Sequence, residues 1–249
     1  LSNTSNDGEA INRCFGENAG DIPSYKLIPL AYQLASRLNS SDQGNSTDFQ
    51  SNLTSLLFRM AKDHPFQILP ILFALKNGDK TGSYGALVYE ANTSRIEAAI
   101  DLIEGIRSLD DRMASIIYEM EVATQGYIKL ARIPVERSEQ SMAFPAACRR
   151  QFCRELKTIP VLSVLLPLDY SLKYENIPTI DTIDENITFP GGINKPKLVT
   201  IIDSHGTKRR QLVKGGRDDL RQDAVMQQFF RICNAFLRES KSTASRNLS

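Results

Sequence analysis

A lysine and a group of acidic residues near the C-terminal end of the chain have the types and spacing needed to hold phosphate. Lys214 closes the apolar run 211–214, and Asp218 and Asp223 follow it after two glycines. A carboxylate that fixes a lysine ammonium allows that ammonium to pair with phosphate oxygens. The stretch therefore predicts a nucleotide-phosphate site, and the alternative is a surface lysine beside a solvated helix start.

A β-hairpin and a helix must position these groups. Residues 198–203 and 211–214 are short apolar runs, and His205, Gly206 and Thr207 between them are turn residues. Residues 217–238 repeat apolar side chains at helical spacing, which predicts an amphipathic helix with a buried face. That face consists of Met226, Phe229, Phe230, Cys233 and Leu237. Asp218 and Asp219 fall in the first turn, where the helix dipole favours carboxylates.

The string RQLVKGGRDDLRQDAVMQQFF resembles the N-lobe signature of the phosphatidylinositol 3-kinase-related protein kinases. Lipid kinases of the same superfamily share the DDLRQD string, but the AVMQQ continuation favours the protein-kinase branch. The resemblance implies that Lys214 contacts nucleotide phosphate and that Asp218 and Asp223 position it or support the site. Gly215 and Gly216 add one residue to the family pattern, so Asp219 remains an alternative to Asp218.

A second segment, FPGGINKPK at residues 189–197, contains paired glycines between two predicted strands. Backbone N–H groups of such glycines can approach an anion closely, although a simple tight turn is the commoner meaning of the pattern. Its place one hairpin before Lys214 resembles the glycine-rich loop of the same kinases. The resemblance implies that six residues contact nucleotide, namely Gly191, Gly192, Ile193, Asn194, Lys195 and Pro196.

The N-terminal part of the chain is helical in pattern. Apolar periodicity and capping residues predict helices at 25–38, 49–62, 92–109 and 110–133, another from Pro65 to a stop at Asn77-Gly78, and an irregular segment at 1–21. For His64, beside Asp63, a cap or an inter-helix hydrogen bond is favoured over a catalytic pair. LIPLAYQLASRL and RMAKDHPFQILPILFALKNGD resemble the last helical repeats of the FAT domain, which precedes the kinase domain in this family.

The character of the sequence changes between residues 145 and 160. A short helix is predicted at 146–157, followed by β-type runs at 161–166, 180–183 and 187–189. We therefore expect an α+β chain with two parts. Residues 1–150 would be the C-terminal part of a FAT-type α-solenoid, and residues 151–249 an incomplete kinase N-lobe with an antiparallel sheet and one long helix.

Composition excludes several classes of protein. The chain has 249 residues, and its 30 Lys and Arg nearly balance its 29 Asp and Glu. The net charge is therefore too small to attract the chain to nucleic acid. The four cysteines and two histidines offer no zinc set, and no apolar run is long enough to cross a bilayer. Reduced thiols, no membrane association and only indirect contact with DNA are expected.

The resemblance also implies what the whole protein does. It implies a nuclear serine/threonine kinase that uses ATP and Mg²⁺, responds to DNA double-strand breaks and phosphorylates Ser or Thr followed by Gln. A homodimer recruited by a break-sensing complex is implied as well. No catalytic residue and no metal ligand is expected within these 249 residues, because those groups belong to a second lobe. A phosphoinositide lipid kinase and a non-catalytic helical interaction module remain the alternatives.

Overall fold

The computed structural model describes residues 3–39, 47–78, 93–136, 138–191, 195–215 and 220–247. The chain divides into two compact units, Leu1–Gly216 and Arg217–Ser249. The first unit contains both the helical region and the β-sheet, in agreement with the predicted α+β class. The expected division into residues 1–150 and 151–249 stays a prediction.

Helices occupy most of the first 155 residues of the first unit. Their bounds are α1 Asn3–Asn18, a 3₁₀ helix Ser24–Leu30, α2 Ala31–Ala35, α3 Thr47–Asp63, α4 Pro65–Lys76, α5 Thr93–Arg107, α6 Asp111–Arg132 and α7 Ala146–Glu155. Asp110 caps α6 by accepting a 2.7 Å hydrogen bond from the backbone N–H of Met113. Pro65 lies in the first turn of α4, where its missing N–H costs nothing. None of the described helices is both long and apolar enough to span a membrane.

Two of the expectations for the helical region are wrong. Residues 1–21 were expected to be irregular, but α1 forms there and is held by long-range contacts: Asn52 Nδ2 donates to the Asn12 carbonyl at 3.2 Å, and half-buried Phe15 packs on the core. The single helix expected at 25–38 is a 3₁₀ helix followed by α2. Pro29 lies inside the 3₁₀ helix, and Leu30 leaves helical geometry with φ −98° and ψ 4°.

The sheet is antiparallel throughout. Its described strands are β1 Ser141–Ala143, β2 Ile180–Ile183, β3 Asn186–Thr188, β4 Lys197–Asp203 and β5 Lys208–Val213. β4 pairs with β5 from Lys197 to Ile202, with β3 near its start and with β2 near its end. The predicted hairpin and the strands at 180–183 and 187–189 are confirmed. β1 was not predicted, and residues 161–166 form no strand: Val161 is buried, yet its N–H bonds to the Pro178 carbonyl outside the ladder.

One hydrophobic core joins the helices to the sheet. Fully buried side chains come from every layer, including Leu57 and Phe73 of the helices, Phe152 of α7 and Ile201 of β4. Burial of each side chain of this size contributes about 1.5–3 kcal/mol. Glu119 on α6 is also buried, and its carboxylate accepts hydrogen bonds from the backbone N–H groups of the segment after α7. The sheet is therefore packed on α6 and α7 rather than tethered to them by a flexible linker.

His64, at the junction of α3 and α4, is buried, and its Nδ1 lies 2.6 Å from the hydroxyl of Tyr174. His64 occupies the N-cap position of α4, but its side chain makes no capping hydrogen bond and its partner Tyr174 lies in a loop, so neither the expected cap nor the expected inter-helix bond forms. Burial lowers the pKa of His64, against the opposing effect of Asp63 and Asp169. The imidazole is therefore neutral near pH 7.

The second unit contains α8 Leu220–Glu239 and α9 Lys241–Ala244. The predicted helix is confirmed from Leu220 onward, and residues 217–219 lie outside the described residues. Cys233 and Leu237 of its apolar face are half-buried. Met226, Phe229 and Phe230 are 46%, 54% and 54% exposed. Phe229 and Phe230 contact one another at a centroid distance of 5.9 Å. Periodicity identified the apolar face without identifying what covers it.

Candidate nucleotide-phosphate site

Four of the predicted site residues, Gly191, Lys195, Pro196 and Lys214, lie at one end of the sheet. β3 ends at Thr188, β4 begins at Lys197 and β5 ends at Val213, and the antiparallel register pairs Thr188 with Leu198 and Lys197 with Val213. In an antiparallel pair with this register, the end of one strand lies beside the start of its neighbour. The described ends of the segment between β3 and β4 (the glycine turn, residues 189–196), with Gly191 on one side and Lys195 and Pro196 on the other, therefore share this end of the sheet with Lys214, which directly follows β5.

Lys214 is half-buried at the end of β5. Along this strand Gln211 and Val213 are buried and Leu212 is 49% exposed. Because side chains alternate between the two faces of a strand, the same pattern assigns Lys214 to the face of Leu212 and away from the core. A cation at a strand end on the open face of a sheet is suited to meet a ligand anion.

The glycine turn is anchored at both ends to the segment before β1. The Phe189 N–H donates to the Gln140 carbonyl at 2.9 Å, and Lys195 Nζ donates to the Glu139 carbonyl at 3.1 Å. Gly191 has φ +97°, a conformation that residues with a Cβ rarely adopt, and a Cβ built there would meet no described atom within 4 Å. Lys195 also has a positive φ, and Pro196 is half-buried. Both described ends of this segment are therefore held by hydrogen bonds to residues 139 and 140, and no described atom would contact a Cβ at Gly191.

Several predicted contacts are not placed by the structure. Gly192, Ile193, Asn194, Asp218 and its alternative Asp219 lie outside the described residues. Asp223 is exposed in the first turn of α8, and it belongs to the second unit, whereas Lys214 belongs to the first. The pairing of Lys214 with a helical carboxylate stays a prediction.

The hairpin that carries Lys214 is braced at its far end by Asp203. This buried carboxylate accepts hydrogen bonds from the N–H groups of His205 and Thr207, at 3.0 and 2.9 Å, and from Nε of Arg209. Burial raises the pKa of the Asp203 carboxyl, but the hydrogen bonds from Thr207, Arg209 and His205 outweigh it and hold the pKa below its usual value. The turn predicted from residue types is therefore also an electrostatic brace.

Lys197 is a residue of this site that the sequence analysis did not single out. It is only 4% exposed, and its Nζ donates to the Ala131 carbonyl at the end of α6, at 3.3 Å. Burial lowers its pKa. The available signal was the alternation along β4, because Lys197 is in phase with the buried Val199 and Ile201.

The groups brought together are suited to phosphate. Lys214 supplies a cation, and Gly191 and Lys195 supply backbone N–H groups; both kinds of group bind phosphate oxygens. Among the residues that the structure describes, no three His, Cys, Asp or Glu side chains lie close enough to hold a metal ion.

No protein-family model matches the chain. Three named relatives match nearly all of it. The chain is 38% identical over 92% of its length to serine/threonine-protein kinase ATM of Arabidopsis thaliana. It is 32% identical over 96% to serine-protein kinase ATM of Sus scrofa, and 31% identical over 100% to serine/threonine-protein kinase tel1 of Schizosaccharomyces pombe. The chain spans only 6–8% of the length of these relatives.

Solved structures give the same result. The chain matches the FAT and kinase domain of CtTel1 with a TM-score of 0.81 and 25% identity, over 97% of this chain and 16% of that one. It matches the open conformation of CtTel1 with a TM-score of 0.82 and 26% identity, over 98% of this chain and 9% of that one. Each match therefore covers nearly the whole chain. By sequence and by fold, the chain belongs to the ATM/Tel1 family of phosphatidylinositol 3-kinase-related protein kinases.

Proposed function

We propose that this chain is the segment of a serine/threonine protein kinase that carries part of the ATP site. The observation that supports this most directly is the convergence of Lys214 and the glycine turn at one end of the sheet. Two of the three relatives are named serine/threonine-protein kinases and the third a serine-protein kinase, and this chain spans 6–8% of their length. Activity is therefore proposed for the full-length protein.

The proposed task of these residues is to hold and orient the phosphates of ATP. Lys214 Nζ would contact phosphate oxygens, with Asp223 and either Asp218 or Asp219 positioning the ammonium. Backbone N–H groups of residues 191–194, together with Lys195 and Pro196, would line the other side. Positioning and charge stabilisation account for most of the catalysis of phosphoryl transfer.

Further groups are needed to complete the reaction. Mg²⁺ neutralises charge on the phosphates, and an Asp orients the acceptor hydroxyl. We place these carboxylates outside the segment, so the segment alone is proposed to be inactive.

Finer features of the proposal rest on the family. They are transfer to Ser or Thr followed by Gln, a nuclear location, a role in the double-strand-break response and recruitment by a break-sensing complex. Dimerisation is supported by the match to the CtTel1 dimer with C2 symmetry, with a TM-score of 0.81 and 25% identity.

The test is a phosphotransfer assay with the purified full-length protein, Mg²⁺ and labelled ATP. Peptides containing Ser-Gln, matched peptides containing Ser-Ala, and phosphoinositide vesicles are offered as acceptors. We expect label on the Ser-Gln peptide alone, and its loss in the Lys214→Met variant. Label on the lipid would establish a lipid kinase, and no label on any acceptor would favour a non-catalytic helical module.

A further inference from the structure

The last turn of α6 contacts the end of the sheet that carries Lys214. The carbonyl of Ala131, one residue before the helix ends, accepts a hydrogen bond from Nζ of Lys197. This carbonyl lies at the negative end of the helix dipole, where a cation is stabilised. Lys197 is 4% exposed, so its ammonium is committed to this contact and is not available to a ligand in solvent.

The same carbonyl approaches Gly215, the residue that follows Lys214. A Cβ built on Gly215 would lie 2.3 Å from the Ala131 oxygen and 3.5 Å from its Cα. The carbonyl carbon of Ala131 would lie at 3.1 Å, and because this carbonyl is backbone it cannot rotate away as a flexible side chain would. Only glycine allows the chain after Lys214 to pass this close to α6.

A third contact lies one helical turn earlier on α6. The hydroxyl of Tyr127 donates to Gln211 Oε1 at 2.5 Å, and Gln211 Nε2 donates to Ser163 Oγ at 3.0 Å. Gln211 precedes Lys214 on β5 and Gly215 follows it. Lys197, on the neighbouring strand, pairs with Val213. Contacts with α6 therefore bracket Lys214 along its own strand and across the ladder.

We propose that the C-terminal turns of α6 set the position of Lys214, with Gly215 and Lys197 as positioning residues for nucleotide binding. The inference rests on the proposed phosphate contact of Lys214. A displacement of α6 moves the strand end with it, because the contacts are to backbone and buried atoms. The position of α6 therefore affects the affinity of the site for nucleotide.

The experiment uses the full-length protein with Gly215→Ala, and with Gly20→Ala as a matched control, because a Cβ at Gly20 would meet open space. The readouts are the Kd for Mg-ADP by calorimetry and the separate KM values for ATP and for peptide. Displacement of a phosphate-binding group such as Lys214 should weaken nucleotide binding by about tenfold or more. We expect that increase in the Kd for Mg-ADP and in the KM for ATP, with the peptide KM unchanged. Identical values in the two variants would overturn the proposal.

Lys197→Met provides the test if Gly215→Ala fails to fold, as judged by its thermal transition. Its control is Lys208→Met, an exposed lysine on β5. Weaker binding of Mg-ADP in Lys197→Met, partly restored in Lys197→Arg, supports the proposal, and unchanged binding refutes it. The Lys214→Met variant distinguishes a failure of the proposed phosphate contact from a failure of the proposed role of α6. Normal activity in that variant refutes the phosphate contact itself, whereas loss of activity there with wild-type behaviour in Gly215→Ala and Lys197→Met refutes only the role of α6.

Discussion

Tyr127 of α6 and Gln211 of β5 are joined by a 2.5 Å hydrogen bond between the phenol hydroxyl and the amide oxygen. Burial raises the pKa of Tyr127, so the phenol stays protonated and remains a donor at physiological pH. This bond connects α6 to β5, the strand that Lys214 directly follows. Loss of this hydrogen bond should therefore lower the stability of the sheet at β5.

We expect Tyr127→Phe to weaken β5. The variant keeps the packing of the ring, which lies 5.0 Å from Phe152, but leaves the buried Gln211 oxygen without its donor. A buried polar group that loses its partner costs about 1–3 kcal/mol. The measurement is the free energy of opening of the β5 amides by hydrogen exchange. Tyr118→Phe is the control, because Tyr118 is 55% exposed, and an equal effect in both variants would contradict the account.

Replacement of Glu119 is expected to lower the stability of the fold strongly, because its carboxylate is buried and accepts three backbone hydrogen bonds. Its Oε2 accepts from the N–H groups of Lys157 and Thr158 at 2.7 Å and of Ile159 at 3.3 Å. Hydrogen bonds to a charged acceptor contribute about 1.5–3 kcal/mol each, so we expect Glu119→Ala to lower the free energy of unfolding by several kcal/mol. Denaturant unfolding measures this. Glu104→Ala, which breaks a surface ion pair with Arg107, should change it by less than about 1 kcal/mol.

The loop that contains Tyr174 should open more readily in acid. Because burial lowers the pKa of His64 in the folded state, the unfolded state binds more protons, and stability falls as the pH drops below about 6.5 towards the folded pKa. Above that range His64 contributes no pH dependence. Hydrogen exchange at the Tyr174 amide, which donates to Asp169 Oδ2, reports this opening. His64→Gln should flatten the pH dependence, and an unchanged slope in that variant would assign it to another group.

Local patterns predicted the parts of the molecule that are stabilised locally. The hairpin around His205 and Gly206 follows from strand alternation and turn residues, and α6 follows from its periodicity and its cap at Asp110. Partners distant in sequence decided the rest. α1 depends on Asn52, and Lys197 is buried against a carbonyl 66 residues away. The exposed ring of Phe229 shows the same limit, because a helical period cannot tell which surface will cover it.

The most direct test of the central claim is equilibrium binding of Mg-ADP and turnover of ATP by the full-length Lys214→Met protein. Lys208→Met, an exposed lysine of the same strand, is the control. We predict that Lys214→Met retains the thermal transition of the wild type, loses phosphotransfer and binds Mg-ADP about tenfold or more weakly, while Lys208→Met matches the wild type. Wild-type binding and turnover in Lys214→Met would contradict the assignment of this sheet end as the phosphate site.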